Sequence, residues 1–509
     1  MKKFSSRSSV AIFAFIVLSL SVFAQSRTET FAITNAQIVT VSGPNISRGT
    51  VVIRDGLIES VGENAKVPAD AQVIDGTGLT IYPGFFDALT SLGLPPPTPP
   101  QPRVQGQQQT QNQPTSNSNY PNGLQPEETA ESQLKAGDAQ FETQRNTGIT
   151  TVLTVPRDGI FNGQSALINL AGDSVSGMII KSPFAEHITF TTLRSGQYPT
   201  SLMGTFSALR QMFIDANRLQ EQRKMYDKNP RGVKRPADDK SLEALIPILN
   251  REMPIVMNAN SEREIIRALD LAREFNLKVI IAGGQEAWKV ASRLKAQDVP
   301  VLLSLDFPKR TTAASADAAP ESLELLRLRA ETPKNAARLA QAGVKFAFQS
   351  GTMKSINDFL TNASKSVENG LDKNAAIRAM TLSSAEIFGV ENRLGSIEKG
   401  KIANLVVVKG DVLAKDKTLT HIFVDGKLFE QKEKPKTPPA ATPATQPAAV
   451  ATVGGNYSIT IEIPGQPLSG TLSLIQEGAI LTGNLQTQLG TSVIKDGKVT
   501  AEGFDFAST

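Results

Sequence analysis

Two histidines and no cysteine stand among the 509 residues. A tetrahedral zinc site takes three or four imidazole, thiolate or carboxylate ligands, so a metal centre here would have to be built mostly from acids. Four acids are suitably spaced. Asp87, Asp158, Glu286 and Asp306 each fall at or just after the C-terminal end of an expected strand. Four carboxylates could hold a hard cation; the same groups could equally cap helices or pair with Lys and Arg. His187 follows a β-forming run and could face a barrel interior, although a lone histidine is more often a surface or packed residue. His421 lies inside a second β run and reads as structural. The absence of cysteine excludes thiolate ligands and thiol nucleophiles. No Gly-x-Ser-x-Gly turn is present to raise a serine nucleophile, and no histidine lies near enough in sequence to serve one.

The elements that must position these acids alternate between two periods. Residues 148–155 (GITTVLTV) form a wholly apolar run of the kind used by parallel sheets. Residues 254–258, 278–282, 300–305 and 344–348 repeat that character. Between them lie helical patterns at residues 262–275, 285–296 and 321–342, the last interrupted at Pro333, and a further helix is expected at 375–388. Ser261 and Glu264 have capping-box spacing at the start of one helix. Strands separated by helices of this length imply parallel pairing through right-handed crossovers. Their number favours a closed (β/α)8-type barrel, whose chemistry sits at the strand C-termini. Residues 30–75 carry short β signals, with Asp55-Gly56 as a hairpin turn. Residues 394–430 are again β-rich.

Two stretches go further. Pro83-Gly84-Phe85-Phe86-Asp87 opens the barrel region, and the run from Leu394-Gly395-Ser396-Ile397 through Gly400-Lys401 and Leu405-Val406-Val407 closes it. Both resemble the amidohydrolase superfamily, in its imidazolonepropionase-like form, with Asn404 where Asp is usual. The resemblance implies an α/β fold, a TIM-type barrel beside a composite β-sandwich made from N- and C-terminal segments. It also implies hydrolysis of carbon–nitrogen bonds other than peptide bonds, by water activated on zinc or another divalent metal, with an Asp as base. Carried over position by position, the metal ligands fall on Leu89 and Ser91, on Asn258, on Ala282 or Gly283, and on Gly351. None is a histidine. The expectation is therefore a superfamily member without a metal cofactor, catalytically degenerate, acting as a binding or partner subunit. Its partner would be an intact amidohydrolase relative or further copies of itself. The other reading is an active hydrolase whose site is rebuilt on Asp87, Asp158, Glu286 and Asp306.

The address and domain plan follow from composition. Lys2, Lys3 and Arg7 precede an apolar core at residues 10–22, and Ala24 offers a small-residue cut, so residues 1–24 read as a signal peptide. The apolar core spans about 13 residues, short of the roughly 20 that cross a bilayer. The expected location is periplasmic or extracellular, with no membrane span after signal removal. A net charge of +4 with no basic block gives no reason to expect nucleic acid. Residues 28–80 and 393–430 should form the β-sandwich and 81–392 the barrel. Residues 95–126, dominated by Pro, Gln and Asn, should be a disordered insertion, or else a lid or partner-binding loop. Residues 431–452 read as a linker. Residues 453–509 read as a separate β module with a hairpin turn at 495–498.

Overall fold

Short β-forming runs broken by turn residues give hairpins at both ends of the larger of two units. The computed structural model divides the chain into Met1–Gln431 and Lys432–Thr509. It describes residues 30–96, 120–430 and 453–508, apart from 138, 173, 194–197, 311–320, 352, 462–467, 479 and 500–503. The expected signal peptide, the linker and most of the Pro/Gln/Asn insertion lie outside the described residues. Among the described residues no helix is long and apolar enough to cross a membrane.

The larger unit opens with β1 (Phe31–Ile38), β2 (Ile46–Arg54), β3 (Leu57–Gly62), β4 (Gln72–Asp75) and β5 (Leu79–Pro83). Then come β6 (Phe85–Thr90), β7 (Ile149–Thr154), β8 (Phe161–Gln164), β9 (Ala166–Asn169), β10 (Ile179–Lys181) and β11 (Glu186–Thr189). They are followed by β12 (Ile255–Ala259), β13 (Val279–Gly283), β14 (Val301–Ser304) and β15 (Phe346–Gln349). It ends with β16 (Leu405–Lys409), β17 (Thr418–Val424) and β18 (Lys427–Glu430).

The two terminal segments meet as expected, but in one eight-stranded sheet rather than in separately paired layers. Its order is β18-β17-β16-β5-β1-β2-β3, with β4 also on β1. Irregular register in β1 explains this. Residues Phe31–Thr34 pair with β4, and after the shift near Ala36, Gln37 and Ile38 pair with β5. Asp55-Gly56 is the expected tight hairpin, with φ of 53° and 79°, and Asp425-Gly426 repeats it at 51° and 73°. Such turns need positive φ, which glycine adopts without cost. The two turns touch: a Cβ on Gly426 would lie 2.6 Å from the Gly56 Cα. Asn404 ties this sheet to the central body. Its Nδ2 donates to Thr151 Oγ1 and Asn169 Oδ1, and its Oδ1 accepts from the Asp425 N–H at 2.8 Å. An Asp there could not donate, which accounts for the amide.

The centre holds two further sheets, ordered β10-β9-β7-β6 and β15-β14-β13-β12-β11-β8. From β11 to β15 every neighbour is parallel, as the strand–helix rhythm requires. The helix Glu262–Glu274 begins with Ser261 and Glu264 making both capping-box hydrogen bonds. The long helical pattern near Pro333 is broken into Leu323–Glu331, a 3-10 turn at Thr332–Lys334, and Asn335–Gln341. β9 runs antiparallel to β7. The 155–165 connection carries no helix, and a short connection returns a strand antiparallel. These strands are buried on both faces, so they read as continuous apolar runs. Ile255, Met257, Val279 and Ile281 pack outward with the helices. Val256, Ile280, Leu302 and Ala347 pack on the other face with Phe86, Leu153 and Phe388.

The smaller unit is one antiparallel sheet, β19 (Gly455–Ile461), β20 (Leu468–Glu477), β21 (Ile480–Thr487), β22 (Gly490–Val499) and β23 (Phe504–Ser508), paired in chain order. The turn expected at 495–498 is absent. β22 runs through it with a register irregularity. Gly497 is needed for close approach instead, since a Cβ there would lie 2.7 Å from the Leu481 Cβ.

Candidate functional site

The C-terminal ends of β6 and β12–β15 carry the positions where chemistry was expected. Asp87 is fully buried in β6. The Ser350 N–H donates to its Oδ1 at 2.8 Å, the Ser350 hydroxyl donates to its Oδ2, and the Leu89 N–H reaches Oδ1 at 3.4 Å. The Gly351 N–H donates to the Leu89 carbonyl at 3.1 Å. Asp87 is thus a clasp holding the ends of β6 and β15 together. Burial pushes its carboxyl up to about 6, and the Ser350 and Leu89 donors pull the other way.

The remaining ligand positions are occupied as follows. Leu89 is partly buried against the inner apolar cluster. Ser91 accepts from the guanidinium of Arg157, an exposed residue just past β7. Asn258 is exposed at the end of β12, and Ala282 is buried. Gly283 has φ of 89°, and a Cβ there would lie 2.3 Å from Asn260 Oδ1. Gly351 has φ of 49°, and a Cβ there would lie 2.3 Å from Gln349 Oε1. That oxygen is buried with no hydrogen-bond partner among the described residues, while the Gln349 Nε2 makes a long bond to the Leu302 carbonyl. The space a side chain at 351 would enter is filled by the Gln349 amide.

The other three acids are dispersed. Asp158 is exposed after β7, and its carbonyl accepts from Asn162 Nδ2. Glu286 accepts from the Glu262 N–H at 2.9 Å, at the start of the 262–274 helix, and from Lys289 Nζ at 2.6 Å. Burial raises Glu286, but Lys289 and the Glu262 N–H outweigh it and hold the carboxyl below its usual range. Asp306 follows β14, and its N–H donates to Ser304 Oγ. Among the described residues no three His, Cys, Asp or Glu side chains gather into a group that could hold a metal ion. The donor set, with leucine, serine, asparagine and glycine at the matched positions, does not fit a zinc or other divalent-ion centre.

His187 lies in β11 at 4% exposure, with Nε2 2.8 Å from Ser165 Oγ. Burial lowers it to about 3, so the ring is neutral and packed. His421 lies in β17 with Nδ1 3.0 Å from Thr420 Oγ1, within the terminal-segment sheet. Sequence reading missed Ser350, Gln349 and Arg157. It also missed Glu186, a fully buried acid in β11 that accepts from the Gly163 N–H and is pushed well above its ordinary range by burial. Each sits where the pattern expects an ordinary strand or loop residue, so periodicity gave no signal. Beside the Asp87 clasp, the matched positions offer the Ser91 hydroxyl, held by the Arg157 guanidinium, and the Asn258 amide, groups suited to hydrogen bonding.

Comparison with known proteins places this arrangement. The amidohydrolase family matches residues 252–429. Among solved structures, an amidohydrolase from Thermotoga maritima MSB8 is similar at 25% identity. That match covers 79% of this chain and 100% of the other, with a TM-score of 0.65. An uncharacterised protein shares the fold at 17% identity, over 79% of this chain and 100% of its own, with a TM-score of 0.50. No curated protein matches.

Proposed function

We propose that the chain, which matches the amidohydrolase family over residues 252–429 and resembles a solved amidohydrolase, is an exported, catalytically degenerate member of that superfamily that binds a ligand or partner instead of hydrolysing a carbon–nitrogen bond. The observation that carries this reading is at Gly351. The position that would supply the catalytic Asp holds a glycine, and the volume its side chain would need contains the Gln349 amide. Leu89, Ser91, Asn258 and Gly283 support it, since none brings an imidazole or carboxylate to the same pole.

We read the two central sheets as parts of one eight-position barrel. The Asp87–Ser350 clasp and the Gly351–Leu89 hydrogen bond support closure between β6 and β15. At the other seam Ser165 bonds Ala185 and Phe184 through its backbone, which supports closure between β9 and β11. In this reading the clasp does mechanically what a bridging metal does elsewhere: it fixes the strand ends. The intact relative or second copy that the chain would pair with is expected to meet it at the C-terminal ends of the strands.

The test is a hydrolysis assay of the purified mature chain against amide, cyclic amide and dipeptide substrates, with and without added zinc, manganese or cobalt. No turnover above buffer is expected under any metal. Metal-dependent turnover that disappears in Asp87→Asn would overturn the reading.

A further inference from the structure

The pole opposite the candidate site carries a cavity that the proposed function does not use. Pro254, Lys278, Pro300 and Lys345 immediately precede β12, β13, β14 and β15, so their shared opening lies at the N-terminal ends of the parallel strands. The cavity measures about 510 Å³, within the roughly 300–1,000 Å³ typical of small-molecule sites.

Its floor is apolar. Phe184 and Phe388 are 3% and 0% exposed and meet edge to face at 5.2 Å between centroids. Met253 and Ile280 extend the same surface. Its rim carries charge, and the charges are not equally free. Lys345 is 3.3 Å from Glu386, which Arg378 also holds at 2.6 Å. Glu252 accepts from Asn250 Nδ2 at 3.2 Å. Lys278 is exposed and makes no ion pair among the described residues. Lys181 donates to the Phe388 carbonyl at 3.0 Å, with its ammonium 5.3 Å from the Phe184 ring centroid. It is therefore held over the aromatic floor. Burial lowers the Lys181 ammonium, and the Lys278 charge lowers it further. Glu391 acts in the opposite sense, and the rim also carries the acids Glu252, Asp298 and Glu386.

Lys181, held over Phe184, and the exposed Lys278 line the same opening, and two ammonium groups beside an apolar surface suit a single anion with an apolar body. An oxyanion between them would accept two charge-assisted hydrogen bonds, and its apolar part would lie against Met253 and Ile387, with the buried Phe184 and Phe388 rings beneath. We propose that this cavity binds a small carboxylate carrying an aromatic or aliphatic body, through Lys181 and Lys278. The site is independent of the degenerate pole and stands whether or not that pole has activity.

Isothermal titration of the mature full chain with phenylacetate tests this, with acetate, benzyl alcohol and inorganic phosphate as comparison ligands. Phenylacetate should bind saturably, with each comparison ligand about tenfold weaker or more. Lys278→Ala should weaken phenylacetate by about tenfold while leaving the thermal midpoint unchanged, because the Lys278 side chain is exposed. Lys181→Met, which keeps the apolar stem, should weaken phenylacetate by a similar factor. Benzyl alcohol binding as tightly as phenylacetate would overturn the anionic requirement, and phosphate or acetate binding as tightly would overturn the apolar one. No saturable phenylacetate binding at millimolar ligand, or binding unchanged in Lys278→Ala, would overturn the site.

Discussion

Replacing Asp87 with Asn probes the clasp, and the size of the effect follows from its burial. The carboxyl is completely enclosed and raised from 3.8 to about 6. Each tenfold change in proton affinity corresponds to about 1.4 kcal/mol, so the gap is on the order of 3 kcal/mol. The sign runs opposite to that of an acid in an ion pair. Below pH 3.8 the group is protonated both folded and unfolded. Between 3.8 and about 6 the unfolded chain ionises while the folded one does not, so stability falls as pH rises; above about 6 the loss is constant. Asn keeps an oxygen for the Ser350 N–H and carries no charge. The Ser350 hydroxyl can rotate to accept from its amide. The stability difference, wild type minus Asp87→Asn, should therefore fall by about 2 kcal/mol from pH 4 to pH 7, the rest of the loss lying below pH 4. Subtracting the variant cancels every other titrating group, including Glu186. Urea unfolding followed by Trp288 fluorescence reads it directly, because this single tryptophan lies in the same unit, stacked 4.2 Å from the Arg338 guanidinium. A difference that is flat with pH would refute the burial argument. One that grows with pH would mean that Asp87 is held as an anion by a cation.

Three further outcomes follow from the same geometry. Gly351→Asp should lower stability by about 1–2 kcal/mol, because a non-glycine residue is strained at φ of 49° and must displace the Gln349 amide; thermal melts check this, and the variant should gain no metal. The ring signals of His187 should stay fixed in proton NMR between about pH 5 and 8, since burial holds its protonation near 3, and movement in that range would show an open pocket. Ser261→Ala should cost about 1 kcal/mol in urea unfolding by removing the capping-box acceptor for the Glu264 N–H, and a neutral result would place that helix start outside the cooperative core.

Much of the architecture was legible because local chemistry dictated it. Asp55-Gly56 had to turn, Ser261 and Glu264 had to cap, and apolar runs between helical patterns had to pair in parallel. The failures arose where local signals are ambiguous. Lys495-Asp496-Gly497-Lys498 has a hairpin composition, yet Gly497 serves a close strand approach to Leu481. The direction of β9 depends on a connection that carries no helix, and an apolar run does not encode direction. At the candidate site, the residues at the expected positions were readable, but their replacements were not. Ser350 reaches Asp87 across 263 residues of chain. Gln349 fills the space at Gly351 through a side-chain rotation that composition does not reveal. Asp158, Glu286 and Asp306 follow β7, β13 and β14, whereas Asp87 lies inside β6 rather than at its end, and strand-end position does not fix where a side chain points. Glu286 turned to the start of a helix and to Lys289 rather than to a shared ion.

The metal content of the purified chain, measured by elemental mass spectrometry after dialysis against zinc, manganese and cobalt in turn, bears most directly on the central claim. Far less than one equivalent of any of the three per chain is predicted, unchanged in Asp87→Asn. A stoichiometric ion that survives dialysis and is lost in that variant would contradict it.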